Sequence, residues 1–190
     1  KYKNKLEGFD ISSRYFEIVN DTTLLVSHEY KGVFKITFNK EIDKIHKIQM
    51  DPSVKKGINA SLIKFDEEIF YLNSEGLFRF DKNRLAFQKD ETLSKKINFE
   101  DYLTGKMIND NNGRLWIFSN NRINYLQREL FSDNLKFESF FFQNNSRKNA
   151  LGWEHVNKYV DSKYIFGSGT GYLLVDLDKI KSNKPQISIH

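Results

Sequence analysis

The chain has no cysteine and only two prolines among its 190 residues. Without thiols, disulfide scaffolds, thiolate metal sites and cysteine nucleophiles are excluded. No apolar run approaches the roughly 18 residues that a membrane-spanning helix needs. The start, Lys1-Tyr2-Lys3-Asn4-Lys5, does not read as a signal peptide. Charge of one sign barely dominates: 30 Lys and Arg face 25 Asp and Glu, a net charge of +5. That excess is spread along the chain, so it is poor support for nucleic-acid binding. Aromatics are what the chain has in quantity, with 17 Phe, 9 Tyr and 2 Trp. Flat and branched side chains pack well on a pleated surface, so the composition points to strands rather than helices.

Four stretches share one pattern: an acidic or polar turn, an apolar run, a second polar turn, then an alternating strand. In the first, Asn20-Asp21 precedes Leu24-Leu25-Val26, and Glu29-Tyr30-Lys31-Gly32 precedes Val33 to Phe38. In the second, Asp66-Glu67, Ile69 to Leu72, Asn73 to Gly76 and Leu77 to Phe80 follow the same order. The third runs from Asp110 through Leu115-Trp116-Ile117-Phe118 and Asn120-Asn121-Arg122 to Tyr125, and the fourth from Asp161 through Tyr164-Ile165-Phe166 to Tyr172-Leu173-Leu174-Val175-Asp176. Anchored on the last residue of the second turn (32, 76, 122, 171), the spacings are 44, 46 and 49.

A period near 45 residues built of short strands is that of a β-propeller, whose blades are four-stranded antiparallel sheets. The consecutive apolar run Leu115-Trp116-Ile117-Phe118 suits a strand covered on both faces by neighbouring blades. Gly32, Gly76 and Gly171 are expected to supply the positive φ of a tight hairpin, with Asn120-Asn121 taking that role in the third repeat. The expected fold is therefore all-β: about four blades, at roughly 9–52, 57–98, 103–142 and 153–181, forming an open arc of a propeller. Residues 1–8 would end a preceding blade or linker. Helix signals are weak, with single turns conceivable at Glu100 to Leu103 and at Asp178 to Lys181.

The third repeat, Asn109-Asp110-Asn111-Asn112-Gly113-Arg114-Leu115-Trp116-Ile117-Phe118, resembles the two-component regulator propeller repeat, whose signature is an Asp, a Gly turn and Leu-Trp-Ile. The fourth, Tyr164 to Tyr172, resembles the closing blade of those propellers; repeats one and two keep the spacing and the glycine but lack the tryptophan. The resemblance implies the extracytoplasmic, periplasmic-side sensor of a membrane-anchored bacterial regulator, with a histidine kinase or helix-turn-helix output carried elsewhere. It also implies that residues 185–190 begin an immunoglobulin-like triple-tyrosine domain. Such propellers have more than four blades, so the open sheet edges are expected to meet further blades or another copy.

Motifs that carry chemistry fare poorly. Gly167-Ser168-Gly169-Thr170-Gly171 lacks the helix that a phosphate loop requires, because Tyr172 to Val175 read as strand. It also has Gly169 where a nucleophile elbow places serine. His28-Glu29 is followed by Gly32 instead of a second histidine, and His46, His155 and His190 have no metal-ligand spacing. Asp110-Asn111-Asn112-Gly113 opens like a calcium loop but lacks the later acidic ligands, so an Asx turn is expected. Basic pairs such as Lys55-Lys56 and Arg147-Lys148 read as solvated loops.

One segment stands out, residues 144–155. It lies in an outer-to-inner loop, at the end of the sheets where propellers meet ligands, and Trp and Arg are strong anchor residues. Arg147, Trp153 and His155 are the candidate binding residues, with Trp153 alternatively plugging the gap between blades. The expected role is non-catalytic recognition of a ligand, a glycan among the candidates, or of a protein surface. No catalytic residue, metal or cofactor is assigned, and neither nucleic acid nor membrane is expected as a partner of this segment. A polysaccharide lyase or glycosidase would need convergent carboxylates or histidines, and a ligand-free scaffold is the third reading.

Overall fold

The computed structural model of the chain describes residues 8–39, 44–55, 57–110, 112–132, 134–141, 152–168 and 171–182. Its strands form successive antiparallel sheets, none closed into a barrel, in the repeated manner of propeller blades. The first sheet holds β1 (Tyr15–Asn20), β2 (Thr23–His28), β3 (Gly32–Asn39) and β4 (Lys44–Met50), in that spatial order. The second holds β5 (Ser61–Phe65), β6 (Glu68–Asn73), β7 (Gly76–Asp81) and β8 (Ala86–Lys89). The third holds β9 (Tyr102–Asn109), β10 (Arg114–Ser119), β11 (Arg122–Arg128) and β12 (Leu135–Phe141). The fourth has three strands among the described residues: β13 (Val156–Val160), β14 (Lys163–Ser168) and β15 (Gly171–Asp176). Expectations for residues 185–190 lie outside the described residues.

The chain divides into two compact units, residues 1–107 and 108–190. In the first unit, Leu25 and Val33 of the first sheet pack on Leu62, Ile69, Tyr71, Phe78, Phe80 and Phe87 of the second. In the second unit, Trp116, Phe118, Ile123, Tyr125 and Phe140 of the third sheet pack on Val156, Tyr164, Phe166 and Val175 of the fourth. Trp116 is the pivot there, its ring centroid 5.0 Å from those of Tyr125 and Tyr164 and 5.2 Å from that of Phe166. Truncating such a fully buried ring costs roughly 3–5 kcal/mol. Ten of the aromatic rings of the sequence are thus buried in sheet-on-sheet packing.

The registers make the repeats superimposable. His28 pairs Gly32, Asn73 pairs Gly76 and Ser168 pairs Gly171, while Phe118 pairs Ile123 one step inside the corresponding turn. Positions 33, 77, 123 and 172 are therefore equivalent, as are 16, 62 and 156 on the first strands. Gly32 has the expected positive φ of 99°. Asn120 and Asn121 do not: the non-glycine residues with positive φ include Asp66, Glu67 and Asp161, in turns between first and second strands. Asp66 and Glu67 are left-handed together (φ 50° and 63°), the pairing that a two-residue turn matched to strand twist demands.

A helix, α1 (Glu91–Lys96), lies in the connection between β8 and β9. Its determinants are local. The Asp90 carboxylate accepts from the Leu93 N–H, Glu91 sits in the first turn, and Lys95 and Lys96 complement the dipole at the end. Ser94 ties it down, its hydroxyl accepting from the Leu77 N–H at 2.9 Å. A single 3-10 turn covers Phe99–Asp101, and a second helix, α2 (Leu177–Ser182), follows β15.

Candidate functional site

Antiparallel order puts the outer-to-inner loop and the turn between second and third strands at the same end of each sheet. In the first unit that end is closely built. A Cβ on Gly57 would lie 3.1 Å from the Tyr71 hydroxyl and 3.2 Å from the Asn73 Cβ, so loop 51–60 rests directly on the β6–β7 turn. Lys55 bridges to Glu75 of that turn at 2.9 Å. Tyr102 at the start of β9 donates its hydroxyl to the Asn59 carbonyl, and Ser61 donates to the Gly105 carbonyl at 2.5 Å. Gly105, at φ 63°, cannot be replaced freely, because a Cβ would collide with the Tyr102 hydroxyl and the Asn59 carbonyl. The Tyr71 hydroxyl is buried without a hydrogen-bond partner, and burial, with the Glu75 charge beside it, pushes its pKa up to about 12. Burial also holds Tyr102 well above the usual phenol range.

The β2–β3 turn at this end is organised by His28. Its Nδ1 accepts the backbone N–H groups of Tyr30 (3.0 Å) and Lys31 (3.2 Å), which leaves the proton on Nε2, 3.3 Å from the Ser12 hydroxyl. Asn73, the equivalent residue in the second sheet, accepts the Glu75 N–H in the same way at 2.9 Å. His28 is thus a turn cap. The signal for this lay in the repeat alignment, which sets His28 in the slot that Asn73 fills, and a search for metal motifs passes over it. Tyr30 and Ile58 are exposed on the same loops.

In the second unit the loop before β13 meets the β14–β15 hairpin, the Gly167 N–H donating to the His155 carbonyl at 3.0 Å. The side chains alternate along this segment. Trp153 is exposed, Glu154 is buried, His155 is exposed and Val156 enters the core. Trp153 retains 83% of its accessible surface, so it does not plug the space between sheets. His155 Nε2 lies 3.0 Å from Asn157 Nδ2, which holds the ring along the start of β13. Trp153 and His155 therefore share one loop end, two residues apart in sequence; Arg147 lies outside the described residues.

Elsewhere the polar clusters serve the fold. Asp110 accepts the Asn112 and Arg114 N–H groups (2.8 and 3.1 Å) and, through its other oxygen, the Trp116 indole N–H at 3.0 Å. The loop is the expected Asx turn, and it anchors the core tryptophan. Arg114 lies 5.2 Å from the Tyr125 ring centroid and 5.1 Å from that of Tyr164, to whose hydroxyl it donates. Arg79 lies over the Phe70 ring at 5.3 Å and binds both Glu68 oxygens (2.8 and 2.9 Å) and Asp90 (2.7 Å), which joins α1 to β7. Among the described residues, no group of three or more His, Asp and Glu side chains is placed to hold a metal ion. A groove of about 510 Å³ lined by Leu173 to Asp176, Lys179 and Ile180 follows β15 and α2, and none of the candidate loop residues lines it.

Fold and site together define a class: repeated antiparallel sheets of the propeller type, each with its own loop end. Comparison with known proteins adds no family, since no family model and no curated protein matches the chain.

Proposed function

We propose that the chain is a non-catalytic recognition module, the sensory propeller segment of a bacterial signal-transduction or transcription regulator, working on the extracytoplasmic side of a membrane-anchored parent. Its loop ends engage a small ligand, a glycan in the first instance, or a protein surface. The observation that carries this reading is the exposed Trp153 beside His155. An indole held in water two residues before His155, whose carbonyl accepts the Gly167 N–H, sheds apolar hydration on binding, which is why such residues become binding anchors. The regulator role rests on the resemblance of the Asp110 to Phe118 repeat to the two-component regulator propeller.

Thermal-shift screening of the chain against neutral and acidic oligosaccharides tests the proposal. A saturable rise in melting temperature that disappears in Trp153→Ala is the expected result, and no saturable shift with any of them favours a ligand-free scaffold. Turnover of a shifted oligosaccharide would refute the non-catalytic assignment and favour a lyase or glycosidase.

A further inference from the structure

The turn that leads into β10 carries the one Asn-Gly pair of the sequence, Asn112-Gly113. Asparagine in such a pair can lose ammonia without an enzyme, when the next backbone nitrogen attacks its side-chain carboxamide. A fold permits this where the carboxamide is accessible, the following residue is uncrowded and the following N–H is not already held. Asn112 is exposed. Gly113 has no Cβ to screen the attack, and at φ 84° open space surrounds the position that a Cβ would take. Among the described residues its N–H donates no hydrogen bond, whereas those of Asn112 and Arg114 both go to the Asp110 carboxylate (2.8 and 3.1 Å). Asn73-Ser74, which also pairs asparagine with a small residue, lacks these freedoms. Asn73 is 1% exposed, and its carboxamide oxygen accepts the Glu75 N–H at 2.9 Å.

We propose that Asn112 is a site of spontaneous deamidation, and that its products loosen the turn that anchors Trp116. The Gly113 nitrogen gives up its proton to hydroxide and attacks Asn112 Cγ. A C–N bond forms, the Cγ–Nδ2 bond breaks, and ammonia leaves a five-membered succinimide. Water then opens that ring at either carbonyl, giving aspartate or isoaspartate. Both products lose a contact, because Asn112 Nδ2 donates to the Asp110 carbonyl at 2.7 Å. A carboxylate in its place sets acceptor against acceptor and adds a negative charge beside the Asp110 carboxylate. Isoaspartate also lengthens the main chain by one methylene between the two N–H groups that Asp110 receives. The other Asp110 oxygen holds the Trp116 indole N–H at 3.0 Å, so the change reaches the core of the second unit.

Incubation of the full chain in warm, mildly alkaline buffer, with and without urea, followed by peptide mass spectrometry, tests the site. In the folded chain residue 112 should gain one mass unit before residue 73 does, with aspartate and isoaspartate forms separating on chromatography. Asn112→Gln, whose ring closure would be six-membered, should remain unmodified at that position. Reaction at Asn112 in urea but not in the folded chain overturns the proposal, since the native turn would then protect the carboxamide. Reaction at Asn73 as early as at Asn112 in the folded chain overturns it as well. The effect on the turn is read from Asn112→Asp in a Trp153→Phe background, where Trp116 is the remaining indole. Its emission should shift, and its melting temperature should fall by roughly 2–4 °C, the shift of about one lost hydrogen bond in a chain of this size. An Asn112→Asp protein with unchanged emission and melting temperature overturns the loosening.

Discussion

Replacing Tyr71 by Phe probes the packing of loop 51–60 on the second sheet. The Tyr71 hydroxyl is buried without a hydrogen-bond partner, and an orphaned buried polar group costs about 1–3 kcal/mol. The ring itself packs on Phe78 and Phe87, at centroid distances of 6.4 and 5.7 Å, and the substitution leaves those contacts in place. Tyr71→Phe should therefore stabilise the protein by about 1 kcal/mol at neutral pH, a rise of roughly 2–4 °C in melting temperature for a chain of this size. A second signature lies in alkali. The folded pKa of about 12 exceeds the ordinary phenol value of 10.0, so above pH 10 the folded state holds a proton that the unfolded state releases. The stability contributed by neutral Tyr71 is complete below pH 10 and is lost as pH rises towards 12, at about 1.4 kcal/mol per pH unit. Urea unfolding at pH 7, 10 and 11.5 measures both effects. The advantage of Tyr71→Phe should widen from about 1 to about 3 kcal/mol across that range, the tyrosines remote from Tyr71 cancelling in the difference. A variant less stable than wild type at pH 7 would refute the reasoning, since it would mean that the hydroxyl makes a bond worth more than its burial costs.

Gly57→Ala should destabilise the fold by about 1–3 kcal/mol in the same assay, because its Cβ would sit 2.9 Å from that of Ala60 and 3.1 Å from the Tyr71 hydroxyl. Asp110→Ala removes the acceptor for two backbone N–H groups and for the Trp116 indole, and should cost about 2–4 kcal/mol, with a shift in tryptophan emission. His28→Ala should cost about 1 kcal/mol by loss of the β2–β3 cap, and His28→Asn, which supplies the acceptor that Asn73 provides in the next repeat, should recover most of it. Trp153→Ala should change stability by less than about 0.5 kcal/mol, as expected of an exposed side chain, so any loss of binding in that variant reports recognition and not unfolding.

The sheets were legible in the sequence because each repeat writes its register twice, once in the polar turn and once in the apolar rows on either side. Gly32, Gly76 and Gly171 fix the alignment, and the runs Leu24 to Val26, Ile69 to Leu72 and Leu115 to Phe118 give second strands covered on both faces. Helix α1 was less legible. It is six residues long, too short for a periodic apolar stripe, and only its Asp90 cap and the Lys95-Lys96 end announce it. The loop end was legible as a place but not in its detail. Trp153 was visible as a residue type, yet whether an indole in a loop turns inward or outward depends on the segment's alternation, which becomes fixed only when Glu154 and Val156 enter the interior. The capping role of His28 was hidden because an imidazole nitrogen replaces a carboxamide oxygen, a swap that composition and motif searches do not equate.

The most direct measurement of the central claim is a calorimetric titration of wild type and Trp153→Ala with whichever oligosaccharide gives the largest thermal shift. Saturable binding to the wild type, at least tenfold weaker in a Trp153→Ala protein of unchanged melting temperature, is the predicted result. Binding of equal strength to both proteins, or none to the wild type, would contradict the assignment of the loop end as a recognition surface for glycans.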